Sequence, residues 1–81
     1  RSWLKMIREH DRVVLSTDME AEALQRGDVG TVVHVYRGGQ AFEVEFLTLS
    51  GETVAVTTLT AAQVRAVSKR AVAHARELAV A

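Results

Sequence analysis

Between Arg12 and Val67 the chain is a series of short runs of apolar residues, several of them alternating with polar ones and broken by glycine. Arg12-Val13-Val14-Leu15 is an apolar run flanked by His10-Asp11 and Ser16-Thr17-Asp18, which predicts a first strand. Val29 to Tyr36 alternates as a longer second strand. Ala41 to Leu49 places Phe42, Val44 and Phe46 on one face and Glu43 and Glu45 on the other, the period of a half-buried strand. The phase changes at Leu47 and Leu49, so a bulge or bend is expected near Phe46-Leu47. Glu52 to Leu59 supplies a fourth strand with Val54 and Val56 inward and Ala55 and Thr57 outward. Thr60 to Gln63 fits a single helical turn, and Val64 to Val67 returns as a last strand. The expected core joins Val29, Val44 and Val54 to Phe42 and Phe46.

The connections are equally legible. In Gly27-Asp28-Val29-Gly30-Thr31-Val32-Val33 two glycines bracket an acid and lead into a β-branched run. Gly27 and Gly30 can take positive φ and Asp28 can bond its own backbone two residues on, so the stretch reads as a tight turn into a buried strand. Gly38-Gly39 between two alternating runs predicts a hairpin, and Ser50-Gly51 marks a second tight turn. Asp18 to Gln25, which Thr17 or Asp18 can cap, reads as a long ordered loop because one or two helical turns are marginal alone. Gly27, Asp28, Gly30, Gly38, Gly39 and Gly51 are therefore the expected structural turn residues. Five short strands in about 60 residues favour a mainly β fold, a small five-stranded barrel, since closure removes exposed sheet edges.

Ser68 to Ala79 changes character. It is rich in alanine, lacks glycine and proline, and can be capped by Ser68, which predicts a C-terminal α-helix of about three turns. Val72, Ala75, Leu78 and Ala79 fall on one side of that helix and form a candidate interface for a protein partner or a second copy of the chain. The expected organisation is an extension over residues 1–5, a barrel domain over 6–67 and the helix over 68–81.

Composition narrows the function classes. At 81 residues with 48% hydrophobic positions and four aromatics, the core must be built mainly from valine, leucine and alanine. The absence of cysteine removes disulfide and thiolate-zinc frameworks. No apolar run approaches the roughly 20 residues of a membrane span, and a cytoplasmic location without membrane contact is expected. The net charge is zero but unevenly placed: Met6 to Val67 carries five arginines against nine acids, a net −4 that the two ends restore. An acidic middle weighs against nucleic acid, whose phosphates require clustered Lys and Arg.

No constellation for catalysis is visible. His10, His34 and His74 stand at no metal-ligand spacing, and Ser16, Ser50 and Ser68 have no activating neighbour. The glycines around Asp28 are followed by Thr31-Val32-Val33, a strand, where a phosphate loop needs a lysine and a helix. Glu43 and Glu45 lie about 7 Å apart along one strand face, a routine arrangement on an exposed sheet. The expectation is a protein that is not an enzyme, with no catalytic residue, no cofactor, no metal and no small-molecule ligand.

The segments Met6 to Leu15, Gly27 to Val33, Phe42 to Phe46 and Val64-Arg65 resemble a family of small bacterial proteins known as a domain of unknown function, over roughly Met6 to Val67. That family is similar to SH3-like barrels, and the spacing of the Asp11 strand and the Gly27-Asp28 element also resembles a KOW module of ribosomal and transcription proteins. The resemblance implies an SH3-like barrel and assigns no functional residue. Three functions follow as expectations: a protein-interaction or self-associating module, a KOW-type nucleic-acid-binding domain, or a regulatory partner of a neighbouring toxin-like or enzyme protein.

Overall fold

The computed structural model describes residues 6–78. Among these residues five antiparallel strands form one sheet: β1 (Arg12–Leu15), β2 (Val29–Tyr36), β3 (Ala41–Leu47), β4 (Thr53–Thr60) and β5 (Val64–Ala66), in the spatial order β4-β3-β2-β1-β5. The turns follow the glycines. Arg37, Gly38 and Gly39 take φ of 49°, 65° and 107° in the β2–β3 hairpin, where the Gly39 and Gln40 N–H groups donate to the Tyr36 carbonyl. Between β3 and β4 the chain turns at Gly51 (φ 94°), and the Thr48 hydroxyl accepts the Glu52 N–H at 3.0 Å.

One face of the sheet carries the core, in which Val13, Leu15, Val32, Phe42, Val44, Phe46, Leu59 and Val64 are buried together with Leu24 from the β1–β2 loop. That loop holds no α-helix, as expected of a segment too short for a stable one. Met19 and Leu24 pair across a single 3-10 turn, Glu20–Glu22, and the Asp18 carboxylate accepts the Arg26 N–H at 2.9 Å. A second 3-10 turn, Ala61–Gln63, begins with Thr60, whose N–H donates to the Gln63 side chain at 2.8 Å, and leads directly into β5.

The expected closed barrel is not formed. Among the described residues β4 pairs only with β3 and β5 only with β1, so the sheet is open with two edges. β5 contributes three residues, too few to reach across and close the sheet. Nor is there an α-helix among the described residues. Residues 71–78 have no regular secondary structure, because so short an alanine-rich segment cannot hold a helix without a packed face, and its Arg76 is drawn into an ion pair on the sheet domain instead.

Two strand phases also differ from expectation. Val29 is 40% exposed, and Gly30 and Val32 turn inward in its place. Phe46 and Val44 occupy the space above Gly30, and a bulge between Val32 and His34 then shifts the later residues of β2. The expected bulge at Phe46-Leu47 is present, and it changes the phase of β4: Phe46 opposes Ala55, Val44 opposes Thr57 and Phe42 opposes Leu59. Ala55, Thr57 and Leu59 therefore face inward, Val56 faces out and is half exposed, and Val54 packs at the margin of the core.

Candidate functional site

Two features of this architecture could do something beyond holding the fold. The first is a cleft of about 480 Å³ between the Gly27-Asp28 turn, the β3–β4 hairpin and the chain's own C-terminal segment Ala73–Leu78. Gly27, at φ 96°, turns the chain so that Asp28 precedes β2, and the Leu15 N–H donates to the Asp28 carbonyl at 2.8 Å. The Asp28 side chain accepts the Gln25 N–H at 2.8 Å. This local bond runs three residues back along the chain, where the sequence suggests one two residues forward. Across 48 positions of sequence Arg76 lays its guanidinium on the same carboxylate, with Nε donating to Oδ1 at 2.9 Å and Nη2 to Oδ2 at 2.7 Å. Nη2 also donates to the Ala23 carbonyl at 3.0 Å.

The geometry is a fork on a carboxylate, the strong form of an ion pair. Both side chains are well covered, 24% exposed for Arg76 and 17% for Asp28. Burial pushes the Asp28 carboxyl up, but the hydrogen bonds from Arg76 and Gln25, with the charge of the guanidinium, outweigh it and hold the group below its ordinary 3.8. Ala23 stands in the left-handed region at φ 60°, where a residue with a Cβ rarely sits, and this conformation ends the 3-10 turn beside the Arg76 site. Leu24, Phe46 and Val54 supply the apolar floor of the cleft, with Leu47 and the 95% exposed Leu49 at its rim.

The second feature is the outer edge of β4. Its sequence, Thr53-Val54-Ala55-Val56-Thr57-Thr58-Leu59-Thr60, has eight residues without a charge, a glycine or a proline. Among the described residues no strand pairs with this edge. The opposite edge, β5, is only three residues long and carries Arg65.

On the outer face of the sheet the strand carboxylates are tied to neighbouring hydroxyls. Thr58 donates to Glu43 at 2.6 Å, Tyr36 to the same oxygen at 3.3 Å, and Thr53 to Glu45 at 2.9 Å. Partial desolvation and the Glu43 carboxylate raise the Tyr36 phenol above its ordinary value. His34 lies 3.6 Å from Glu9 and edge-on to Tyr36, at 4.5 Å between ring centroids. Among the described residues no group of three or more His, Asp or Glu is placed to hold a metal ion, and no helix is long and apolar enough to cross a membrane.

The residues marked out in the sequence are only partly brought together. Asp28 lines the cleft just after Gly27, Gly30 lies inside β2, Gly51 is in the β3–β4 hairpin that forms one wall of the cleft, and Gly38 and Gly39 are in the β2–β3 hairpin outside its lining. Of the helix stripe, Val72 is 91% exposed, Ala75 and Leu78 line the cleft beside Arg76, and Ala79 lies outside the described residues, as do residues 1–5. The sequence pattern marks out neither Arg76, which lies in the segment expected to be helical, nor Ala23. The one signal in the sequence for the Arg76–Asp28 pair is the segregation of charge, an acidic middle between basic ends.

No curated protein and no solved structure matches the chain. A family model does: residues 9–66, the whole of the sheet from before β1 to the end of β5, match the one described as Domain of unknown function (DUF4926), and the chain belongs to that family.

Proposed function

We propose that this domain is a protein-interaction module without catalytic activity, and that it docks by adding a strand to β4. The observation that carries the reading is the unguarded edge. An open sheet edge offers a row of main-chain donors and acceptors, and natural proteins usually blunt it with lysine, proline, a bulge or a short strand. β5, three residues long and carrying Arg65, follows that rule; β4 has a bulge only at its start, at Val54, and Ala55–Thr60 run on without lysine, proline or a further bulge. A further strand would satisfy the free main-chain groups of β4 and extend the sheet, the mode of β-augmentation.

The occupant we propose is a second copy of the chain. Two β4 strands related by a two-fold axis through Thr57 run antiparallel and bring Ala55 opposite Leu59 on the inner face and Val56 opposite Thr58 on the outer one. No pair in this register sets like charges together, and small residues meet large ones. The contact is small, so the association is weak. Amide chemical shifts followed over a wide range of protein concentration test it: displacements concentrated in residues 53–60 are expected, and a spectrum independent of concentration removes self-pairing.

A further inference from the structure

A separate observation carries a second binding site, independent of the β4 edge. The segment Ala73–Leu78 crosses the sheet domain without forming any element of its own, and no backbone–backbone hydrogen bond joins residues 72–78 to the rest of the described chain. What fixes it is side-chain recognition. Arg76 occupies a polar seat made by the Asp28 carboxylate and the Ala23 carbonyl, and Leu78, 38% exposed, lies along the cleft. Residues 68–72, which lead to the seat, are exposed and make only local bonds, such as Ala71 N–H to the Ser68 carbonyl at 3.1 Å.

The seat belongs to the folded sheet domain rather than to the tail. Asp28 is positioned by Gly27, by its own N–H donating to the Gln25 carbonyl at 2.9 Å and by the Gln25 N–H on its carboxylate; Ala23 is positioned by the Met19–Leu24 pairing. A tethered segment holding on through one arginine can be exchanged for an untethered one with the same chemistry, because the tether supplies only effective concentration. We propose that the Asp28 cleft is a receptor for an extended peptide bearing an arginine with an apolar residue two positions further on, and that the chain's own Ala73–Leu78 is a displaceable plug in it.

The test uses the full chain and a labelled synthetic peptide of the sequence Ala-His-Ala-Arg-Glu-Leu, followed by amide shifts at Gln25, Gly27 and Asp28 and by fluorescence anisotropy. The Arg76→Ala chain, whose own plug is weakened, should bind the peptide several-fold more tightly than the wild type, with shifts centred on those three amides. A peptide carrying alanine in place of its arginine should not bind, and Asp28→Asn in the Arg76→Ala background should lose binding. Equal affinity for wild type and Arg76→Ala overturns the plug. Equal affinity for the two peptides, or no binding to the Arg76→Ala chain, overturns the receptor, and the peptide comparison holds even if Asp28→Asn disturbs the turn.

Discussion

Gly30 in β2 lies under Val44 in β3 so closely that a Cβ at residue 30 would stand 2.5 Å from Val44 Cγ1 and 3.0 Å from the Glu45 carbonyl oxygen. The side chains of Val44 and Phe46 occupy the space where a Cβ would go. Valine has the higher strand propensity, but position outweighs propensity here, and Gly30→Val should destabilise the protein by about 1–3 kcal/mol through overpacking. Gly30→Ala should fall between the two. Urea titration reads the effect directly as a lower midpoint at unchanged slope.

Phe46, 2% exposed, fills the floor between β2, β4 and the cleft. Phe46→Ala should cost about 3–5 kcal/mol, a large share of the stability of so small a domain, and thermal unfolding should register it as a loss of many degrees. A midpoint close to that of the wild type would contradict the assignment of Phe46 to the core.

Thr57 is a buried polar side chain on the core face, and its hydroxyl donates to Glu22 Oε2 at 3.3 Å, while Glu22 Oε1 is covered and has no partner among the described residues. Thr57→Val should therefore cost about 1 kcal/mol by leaving the carboxylate without its donor. Adding Glu22→Leu should recover most of that loss, since removing both polar partners avoids an unsatisfied group. A double-mutant cycle in urea gives the coupling.

The Asp28 carboxyl titrates below its ordinary 3.8 because Arg76 and the Gln25 N–H together outweigh the effect of burial. A carboxyl depressed in the folded state stabilises the docked tail above its unfolded pKa, and that contribution is lost as the pH falls through the lower, folded value. NMR titration should show tail resonances releasing only in acid below about pH 4. In Arg76→Ala the Asp28 carboxyl should titrate higher, with burial left opposed by the Gln25 bond alone.

The strands were legible because each is short, alternating and bounded by glycine or a turn. β1 and β2 have the residues that the pattern marks, and β3 and its bulge follow from the phase change at Leu47. The faces of β2 and β4 were not legible. Val29 and Val56 outrank Gly30 and Thr57 in hydrophobicity, and only the approach of Val44 and Phe46 over Gly30 and the bulge at Leu47 reverse the order. Closure follows from the general disadvantage of open edges, yet Ala55–Thr60 of β4 stand on an edge with no strand beside it among the described residues. Propensity alone favours a helix over Ser68–Ala79, and an arginine able to reach Asp28 overrides it. At the cleft, Asp28 stood out in the sequence, whereas its partner 48 residues away carried no local signal.

Sedimentation equilibrium tests the central claim, pairing through β4, most directly. Wild-type chain should show a weak monomer–dimer equilibrium, with the dimer growing as concentration rises. The double variant Val56→Lys, Thr58→Lys sets lysines opposite one another in the two-fold register, while Glu43 and Glu45 on β3 can accept them within one chain. It should sediment as a monomer throughout with the fold retained. A wild type that stays monomeric at every concentration, or a double variant that dimerises equally well, would contradict the account.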